Sequence, residues 1–119
     1  MAGRRSRREA NREYDARRGS ARDRGYDAGW DRASRLHRQE HPFCEYCEVG
    51  AFAQARTSAA TCTDHLYPHR GDRELFWKRE WWVASCDDCH AGPKQAAEAR
   101  GSAALDRLAR RLGRPTRGG

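Results

Sequence analysis

The sequence predicts a small α+β domain, because two Cys-x-x-Cys motifs enclose a pair of extended segments and helical patterns lie on either side. The first motif is Cys44-x-x-Cys47 and the second is Cys86-x-x-Cys89. The chain has 119 residues, which is enough for one hydrophobic core and too few for two. Only 37% of the residues are hydrophobic and 34% are charged, so we expect cross-links to supplement a thin core.

Composition divides the chain into three parts. Residues 1–25 are rich in arginine and nearly free of apolar residues. Such a segment buries too little surface to offset its ordering entropy, so we expect a disordered basic arm. Residues 26–100 are predicted to form the folded domain. Residues 101–119 are predicted to form a C-terminal helix, with Leu105, Leu108 and Leu112 on one stripe, and a frayed tail.

Individual elements follow from periodicity and from turn residues. Asp27 is the predicted N-cap of a leading helix that runs to about Glu40 and stops at His41-Pro42. The predicted buried face of this helix contains Trp30, Ala33, Leu36 and His37. A hairpin is predicted from residues 59–66 and a return strand at 81–85. Residues 86–100 are predicted to be helical, with a complication at Gly92-Pro93.

The charge of the chain favours a polyanionic partner. The formal net charge is +7, and almost every basic residue is arginine, since Lys78 and Lys94 are the only lysines. A guanidinium group binds phosphate oxygens bidentately, so nucleic acid is the leading partner. An arginine bias is also typical of a GC-rich genome, and charge alone favours DNA binding only modestly. We expect a cytoplasmic protein, because neither a secretory leader nor a membrane-spanning apolar run is evident.

The two Cys-x-x-Cys motifs predict a structural zinc site. Two residues between thiols allow both sulfurs to reach one ion, and two such motifs complete a tetrahedral shell of four sulfurs. A closed shell has no open position for water, so we assign the zinc to structure and not to catalysis. A redox or disulfide role is the weaker alternative, since one motif would suffice for redox chemistry. Cys62, the fifth cysteine, is predicted to be a small buried residue on a strand.

Asp64, His65 and His90 form a second candidate site. Neighbouring residues on a strand point to opposite faces, but at a strand end one can bind a metal while the other addresses a water molecule. His90 follows Cys89 directly, so on a helix it lies about 100° away from the zinc ligand and points elsewhere. Asp64 and His90 together therefore suggest an open site for a hard divalent cation.

Four stretches carry a resemblance to a known family. In chain order they are His41-Pro42-Phe43-Cys44-x-x-Cys47, Asp64-His65-Leu66-x-Pro68-His69-Arg70-Gly71-Asp72, Leu75-Phe76-Trp77, and Cys86-x-x-Cys89-His90 with Lys94. This order resembles the HNH endonuclease family, and most closely its small bacteriophage and prophage members. The upstream Arg24-Gly25-Tyr26 and Trp30 resemble the segment that leads into the motif in those proteins, so the resemblance covers roughly residues 24–95.

The resemblance implies a ββα-metal nuclease that hydrolyses DNA phosphodiester bonds. By this analogy His65 is the general base, and Asp64 and His90 hold the catalytic ion, which is Mg²⁺ or another divalent transition metal such as manganese or nickel. The residues implied to hold phosphates are His69, Arg70 and Lys94. Small proteins of this kind often act beside the phage packaging machinery, so terminase or portal proteins are further implied partners.

One residue departs from the family pattern. The middle asparagine of the motif lies five residues before the third cysteine, and here that position is Trp81. Tryptophan cannot supply the amide that orients the base, which leaves Glu80 or a backbone carbonyl to hold His65. Two rival hypotheses therefore stay open: a non-catalytic zinc-stabilised DNA-binding module, and an adaptor that docks a partner through its zinc fold and aromatic residues.

Overall fold

The computed structural model describes residues 24–118, so most of the predicted arm lies outside the described residues. The helices are α1 (Ala28–Glu40), α2 (Glu45–Glu48), α3 (Arg73–Phe76), α4 (Asp87–Ala91), α5 (Pro93–Arg100) and α6 (Ser102–Arg111), and the strands are β1 (Cys62–His65) and β2 (Trp82–Ser85), preceded by a 3₁₀ turn at Arg79–Trp81. These elements confirm a small α+β fold with a two-stranded sheet. Between residues 24 and 118, no helix has the length and apolar character needed to cross a membrane.

The hairpin is antiparallel and shorter than predicted. Cys62 lies opposite Ser85, and His65 lies opposite Trp82. The first residues of the predicted first strand pair elsewhere: Ala59 forms an isolated bridge with Phe43. Thr61, directly before β1, donates from its backbone N–H to the carbonyl of Ser85 in β2 at 2.9 Å. The segment before β1 therefore connects the first cysteine motif to the base of the hairpin.

The two faces of β1 contact different parts of the protein, as a period of two requires. On one face, Ser34 of α1 donates a hydrogen bond to Thr63 at 2.8 Å, and Trp30 stacks on His65 with a centroid distance of 4.7 Å. On the other face, Asp64 contacts residues of α2 and α5. Because the described sheet has only two strands, β1 also has an edge without a neighbouring strand.

Helix α1 begins where the sequence predicts and buries most of the predicted face. The side chain of Asp27 accepts a hydrogen bond from the backbone N–H of Trp30 at 3.0 Å, which satisfies one of the free donors at the helix start. The buried residues are Trp30 and Ser34, whereas Leu36 is 51% exposed. The predicted face was wrong at Leu36, because α1 turns polar Ser34 toward Thr63 of the hairpin.

The C-terminal residues pack against the domain. A break at Gly92 separates α4 from α5, and Pro93 begins α5, where its missing N–H is no loss. Leu105 and Leu108 of α6 are buried in the same core as the four cysteines of the two motifs. The tail that follows was predicted to be frayed. It is instead docked on the domain, since the indole of Trp81 donates to the carbonyl of Pro115 at 2.8 Å.

Candidate metal centre and cleft

Four buried thiols form a site of the size that a zinc ion requires. The Sγ atoms of Cys44, Cys47, Cys86 and Cys89 all lie within 4.8 Å of one another. Cys47 Sγ is 3.9 Å from Cys86 Sγ and 3.6 Å from Cys89 Sγ. Tetrahedral zinc with Zn–S bonds of about 2.3 Å needs sulfur separations of about 3.8 Å, so the cluster fits. None of the four cysteines forms a disulfide.

Each thiol pair is built on the first turn of a short helix. Cys44 caps α2 and its sulfur accepts a hydrogen bond from the backbone N–H of Cys47. Cys86 is the N-cap residue of α4. Burial alone would raise the pKa of Cys86, but hydrogen bonds from the Cys89 backbone and neighbouring thiols lower it to about 7. Deprotonation, which zinc binding requires, is thus favoured at this thiol.

Cys62 lies outside the thiol cluster. Its Sγ donates a hydrogen bond to the carbonyl of Ser85 at 3.5 Å, and the residue is half-buried. Burial, followed by the negative charges of Asp64 and Asp87, raises the pKa of this thiol to about 11. Cys62 therefore stays protonated and unreactive near neutral pH, in agreement with its predicted packing role.

A cleft of about 790 Å³ lies along the open edge of β1. The predicted site residues that line it are Asp64, His65, His69, Arg70 and His90. Asp64 and His65 point to opposite faces of the strand, yet both reach the cleft because it crosses the strand edge. The structure thus brings five of the predicted site residues into one cavity.

Asp64 is a buried carboxylate whose two oxygens have different partners. Oδ2 accepts a hydrogen bond from the hydroxyl of Tyr46 at 2.6 Å and lies 3.1 Å from Nζ of Lys94. Oδ1 lies 3.1 Å from Nδ1 of His90. Burial alone would raise the pKa of Asp64, but the hydrogen bond from His90, the charge of Lys94 and the Tyr46 hydroxyl bring it below its ordinary value. The carboxylate is therefore ionised, with Oδ1 paired to the imidazole of His90.

Without the proton that Nδ1 of His90 shares with Oδ1 of Asp64, these two atoms have the separation of adjacent ligands of a divalent ion. With ligand distances of about 2.1 Å in an octahedral shell, neighbouring donor atoms lie about 3.0 Å apart, and Oδ1 and Nδ1 are 3.1 Å apart. A carboxylate suits magnesium or manganese, and an imidazole suits nickel and other transition metals. Among residues 24–118, the cysteines are the only group of three or more ligands found together, so this second site offers two protein donors.

His65 is held by a backbone carbonyl. Its Nε2 lies 3.0 Å from the carbonyl oxygen of Phe76. Because a carbonyl only accepts, Nε2 carries the proton and Nδ1 keeps the lone pair of the neutral ring. Burial is the main reason that the pKa of His65 falls to about 4, with a smaller contribution from His69. The imidazole is therefore an uncharged base near neutral pH.

Of the two ways to hold His65 that the sequence leaves open, the structure has the carbonyl. Glu80 is exposed in the 3₁₀ turn. Trp81, at the position of the family asparagine, packs on Tyr67 with a centroid distance of 4.9 Å and bonds to the C-terminal tail. No side-chain pattern marks the carbonyl of Phe76, so sequence reasoning could not single it out.

Lys94 has a different environment from the one implied by the resemblance. Its side chain is fully buried, and Nζ donates to the carbonyl of His65 at 3.0 Å. The same ammonium pairs with Asp64 at 3.1 Å and with Glu98 at 3.5 Å. Three acceptors satisfy its three protons, so it is not free to hold a phosphate. Lys94 instead joins the backbone of His65 to the carboxylate of Asp64.

His69 and Arg70 lie on a tight turn at the cleft. Arg70 and Gly71 have φ values of +49° and +85°, a left-handed pair that closes the turn, and only the glycine adopts it without strain. The N–H of Gly71 donates to Nδ1 of His69 at 3.1 Å, so Nε2 of His69 carries the proton and donates to the hydroxyl of Tyr26 at 2.9 Å. Arg70 is exposed.

Comparison of the chain with known proteins identifies no relative. No protein-family model matches the chain. No curated protein matches it significantly, and no solved structure does. The chain is thus described by its own features: a small α+β fold, a two-stranded antiparallel sheet and a buried four-cysteine site suited to zinc.

Proposed function

We propose that the protein is a metal-dependent endonuclease of the HNH type that hydrolyses DNA phosphodiester bonds. One observation supports the proposal above all: the neutral imidazole of His65 and the Asp64–His90 pair line one cleft. An uncharged base beside two ligands for a divalent cation can activate water and polarise a phosphodiester. The four cysteines would hold a structural zinc ion.

In the proposed reaction, His65 takes a proton at Nδ1 from the attacking water. The water oxygen bonds to phosphorus, the bond from phosphorus to the 3′-oxygen breaks, and the proton stays on the imidazole. The carbonyl of Phe76 accepts from Nε2 and so stabilises the imidazolium that forms. A divalent ion held by Asp64 and His90 would polarise the phosphate and stabilise the leaving 3′-oxygen. The ammonium of Lys94 contacts both the Asp64 carboxylate and the carbonyl of His65, and so fixes their relative position.

Plasmid relaxation with added Mg²⁺, Mn²⁺ or Ni²⁺ tests the proposal. The wild-type protein should nick supercoiled DNA, and His65→Ala should lower the rate by about 10²-fold or more while its bound zinc stays at one ion per chain. His41→Ala is the matched control, because His41 packs against His37 at the end of α1 and does not line the cleft. Equal nicking rates for the His65→Ala variant and the wild-type protein would refute the assignment of His65 as the base.

A non-catalytic DNA-binding module is the second candidate. It is favoured by Trp81, which offers no amide to the cleft and packs on the C-terminal tail. Under this hypothesis the wild-type protein binds DNA tightly and cuts it with none of the divalent metals. A protein that neither binds nor cuts DNA would instead favour an adaptor function.

A further inference from the structure

The side chain of Arg24 has no role in the chemistry proposed above, and its environment is unusual. Arg24 lines the same cleft as His65. Its Nε and Nη1 atoms are buried, and neither has a hydrogen-bond partner among the described residues. A guanidinium group stays charged at any ordinary pH, so burying two of its donors without acceptors is costly. Such a group is suited to an anionic ligand that supplies the acceptors.

The backbone next to Arg24 is fixed against the residue that holds the base. Gly25 is buried with a φ of +102°, and a Cβ atom there would come within 3.2 Å of Cε2 of Phe76. Glycine is therefore required at this close approach. Because the carbonyl of the same Phe76 holds His65, this contact sets where Arg24 enters the cleft relative to the proposed base.

The cleft offers Arg24 no free carboxylate. The acidic residues among its lining are Asp64 and Glu98, and both pair with the ammonium of Lys94. The arginines among the lining are Arg24, Arg38 and Arg70. Arg24 is also close enough to His69 that its positive charge adds to burial in lowering the pKa of that imidazole. The end of the cleft near Arg24 is therefore positively charged.

We propose that the guanidinium of Arg24 binds a phosphate oxygen of DNA in the cleft, beside the phosphodiester that His65 addresses. This inference rests on the proposed function insofar as the ligand is DNA. It does not require cleavage, because phosphate binding by a guanidinium needs neither the base nor a divalent ion. Nε–H and Nη1–H are each a charged donor that a phosphate oxygen can accept.

A salt titration of DNA binding, without added divalent metal, tests the proposal. Arg24→Gln is compared with Arg35→Gln, which removes the same charge from an exposed position on α1 outside the cleft lining. Loss of one phosphate contact should reduce the slope of log Kd against log salt concentration by about 0.9 and weaken binding by roughly fivefold or more. Arg35→Gln should leave the slope unchanged. Equal slopes for the two variants would overturn the proposal, as would a wild-type protein that binds no DNA.

Thermal melting provides an independent readout. Because the buried donors of Arg24 have no partner within residues 24–118, Arg24→Gln should melt at or above the wild-type temperature. A clear lowering of the melting temperature would show that the guanidinium stabilises the fold and would count against a ligand-binding role. The two proposals can fail separately. A protein that binds DNA through Arg24 and never cuts it would refute the nuclease proposal and support the phosphate contact of Arg24.

Discussion

The Nε2 atom of His65 and the carbonyl oxygen of Phe76 lie 3.0 Å apart, and the indole of Trp82 donates to the same oxygen at 3.0 Å. Phe76 is the last residue of the single-turn helix α3, where carbonyls have no partner within the helix. Asp72 caps the start of this turn by accepting from the N–H of Leu75. A short capped helix thus directs the carbonyl of its last residue at the imidazole of His65 and sets the tautomer of that ring.

The first prediction concerns Trp81. Because the carbonyl of Phe76 already orients His65, Trp81→Asn should leave any nicking rate within about threefold of wild type. It should instead destabilise the protein by about 2 kcal/mol, since it removes the packing on Tyr67 and the bond to the carbonyl of Pro115. Plasmid relaxation and urea unfolding measure the two effects.

Trp81→Phe is the control for this pair of effects. It keeps an aromatic ring against Tyr67 and loses only the indole hydrogen bond, so about 1 kcal/mol is expected. An increase in nicking of tenfold or more in Trp81→Asn would show that the carbonyl does not replace the asparagine amide.

The second prediction concerns the pH dependence of stability. The pKa of His65 is about 4 in the folded protein, mainly because of burial, and about 6.5 in an unfolded chain. Between these values the unfolded state binds more protons, so the contribution of His65 favours folding above pH 6.5 and is lost as the pH falls toward 4. The full loss is about 3 kcal/mol.

His65→Gln isolates this contribution. The variant changes packing on Trp30 by an amount that does not depend on pH, and protonation of the zinc thiolates affects both proteins alike. As the pH falls from 6.5 to 4, the unfolding free energy of the wild type should therefore decrease relative to that of the variant. A constant difference over this range would contradict a depressed pKa for His65.

Some features of this protein are readable from the sequence because they depend on local spacing. The thiol cluster follows from two residues between the members of each cysteine pair, and α1 follows from the cap at Asp27. Asp64, His65 and His90 were identified by motif order and do line one cleft. The start of the packed chain is less readable, since Arg24 and Gly25 were assigned to the arm and Gly25 is buried on Phe76.

The remaining features depend on contacts between residues distant in the chain. The burial of Lys94 is set by Asp64, which lies 30 residues earlier, and no local pattern distinguishes it from an exposed lysine. The hydroxyl of Tyr46 reaches the same carboxylate from the first cysteine motif. The docking of the tail through Pro115 depends on Trp81 in the same way. Such pairings appear only when the hairpin brings the two halves of the chain together.

The third prediction concerns the thiol cluster. Cys44→Ser should lose the bound zinc and unfold, because the binding free energy of a structural zinc ion is part of the folding free energy. Cys62→Ser is the matched control: Cys62 lies outside the cluster and bonds only to a carbonyl. This variant should keep one zinc ion per chain and change stability by about 1 kcal/mol or less. Zinc analysis with circular dichroism checks both, and a folded, zinc-loaded Cys44→Ser would refute the site.

The fourth prediction concerns Lys94. Lys94→Met should destabilise the protein by about 3 kcal/mol or more, because the Asp64 carboxylate would stay buried without its ammonium partner. Glu98→Gln should cost less than about 1 kcal/mol, since it leaves the pair between Lys94 and Asp64 in place. Urea unfolding measures both values. Because the ammonium is buried, the salt dependence of DNA binding should not change in Lys94→Met. A stable Lys94→Met variant with a reduced slope would return Lys94 to the role of a phosphate ligand.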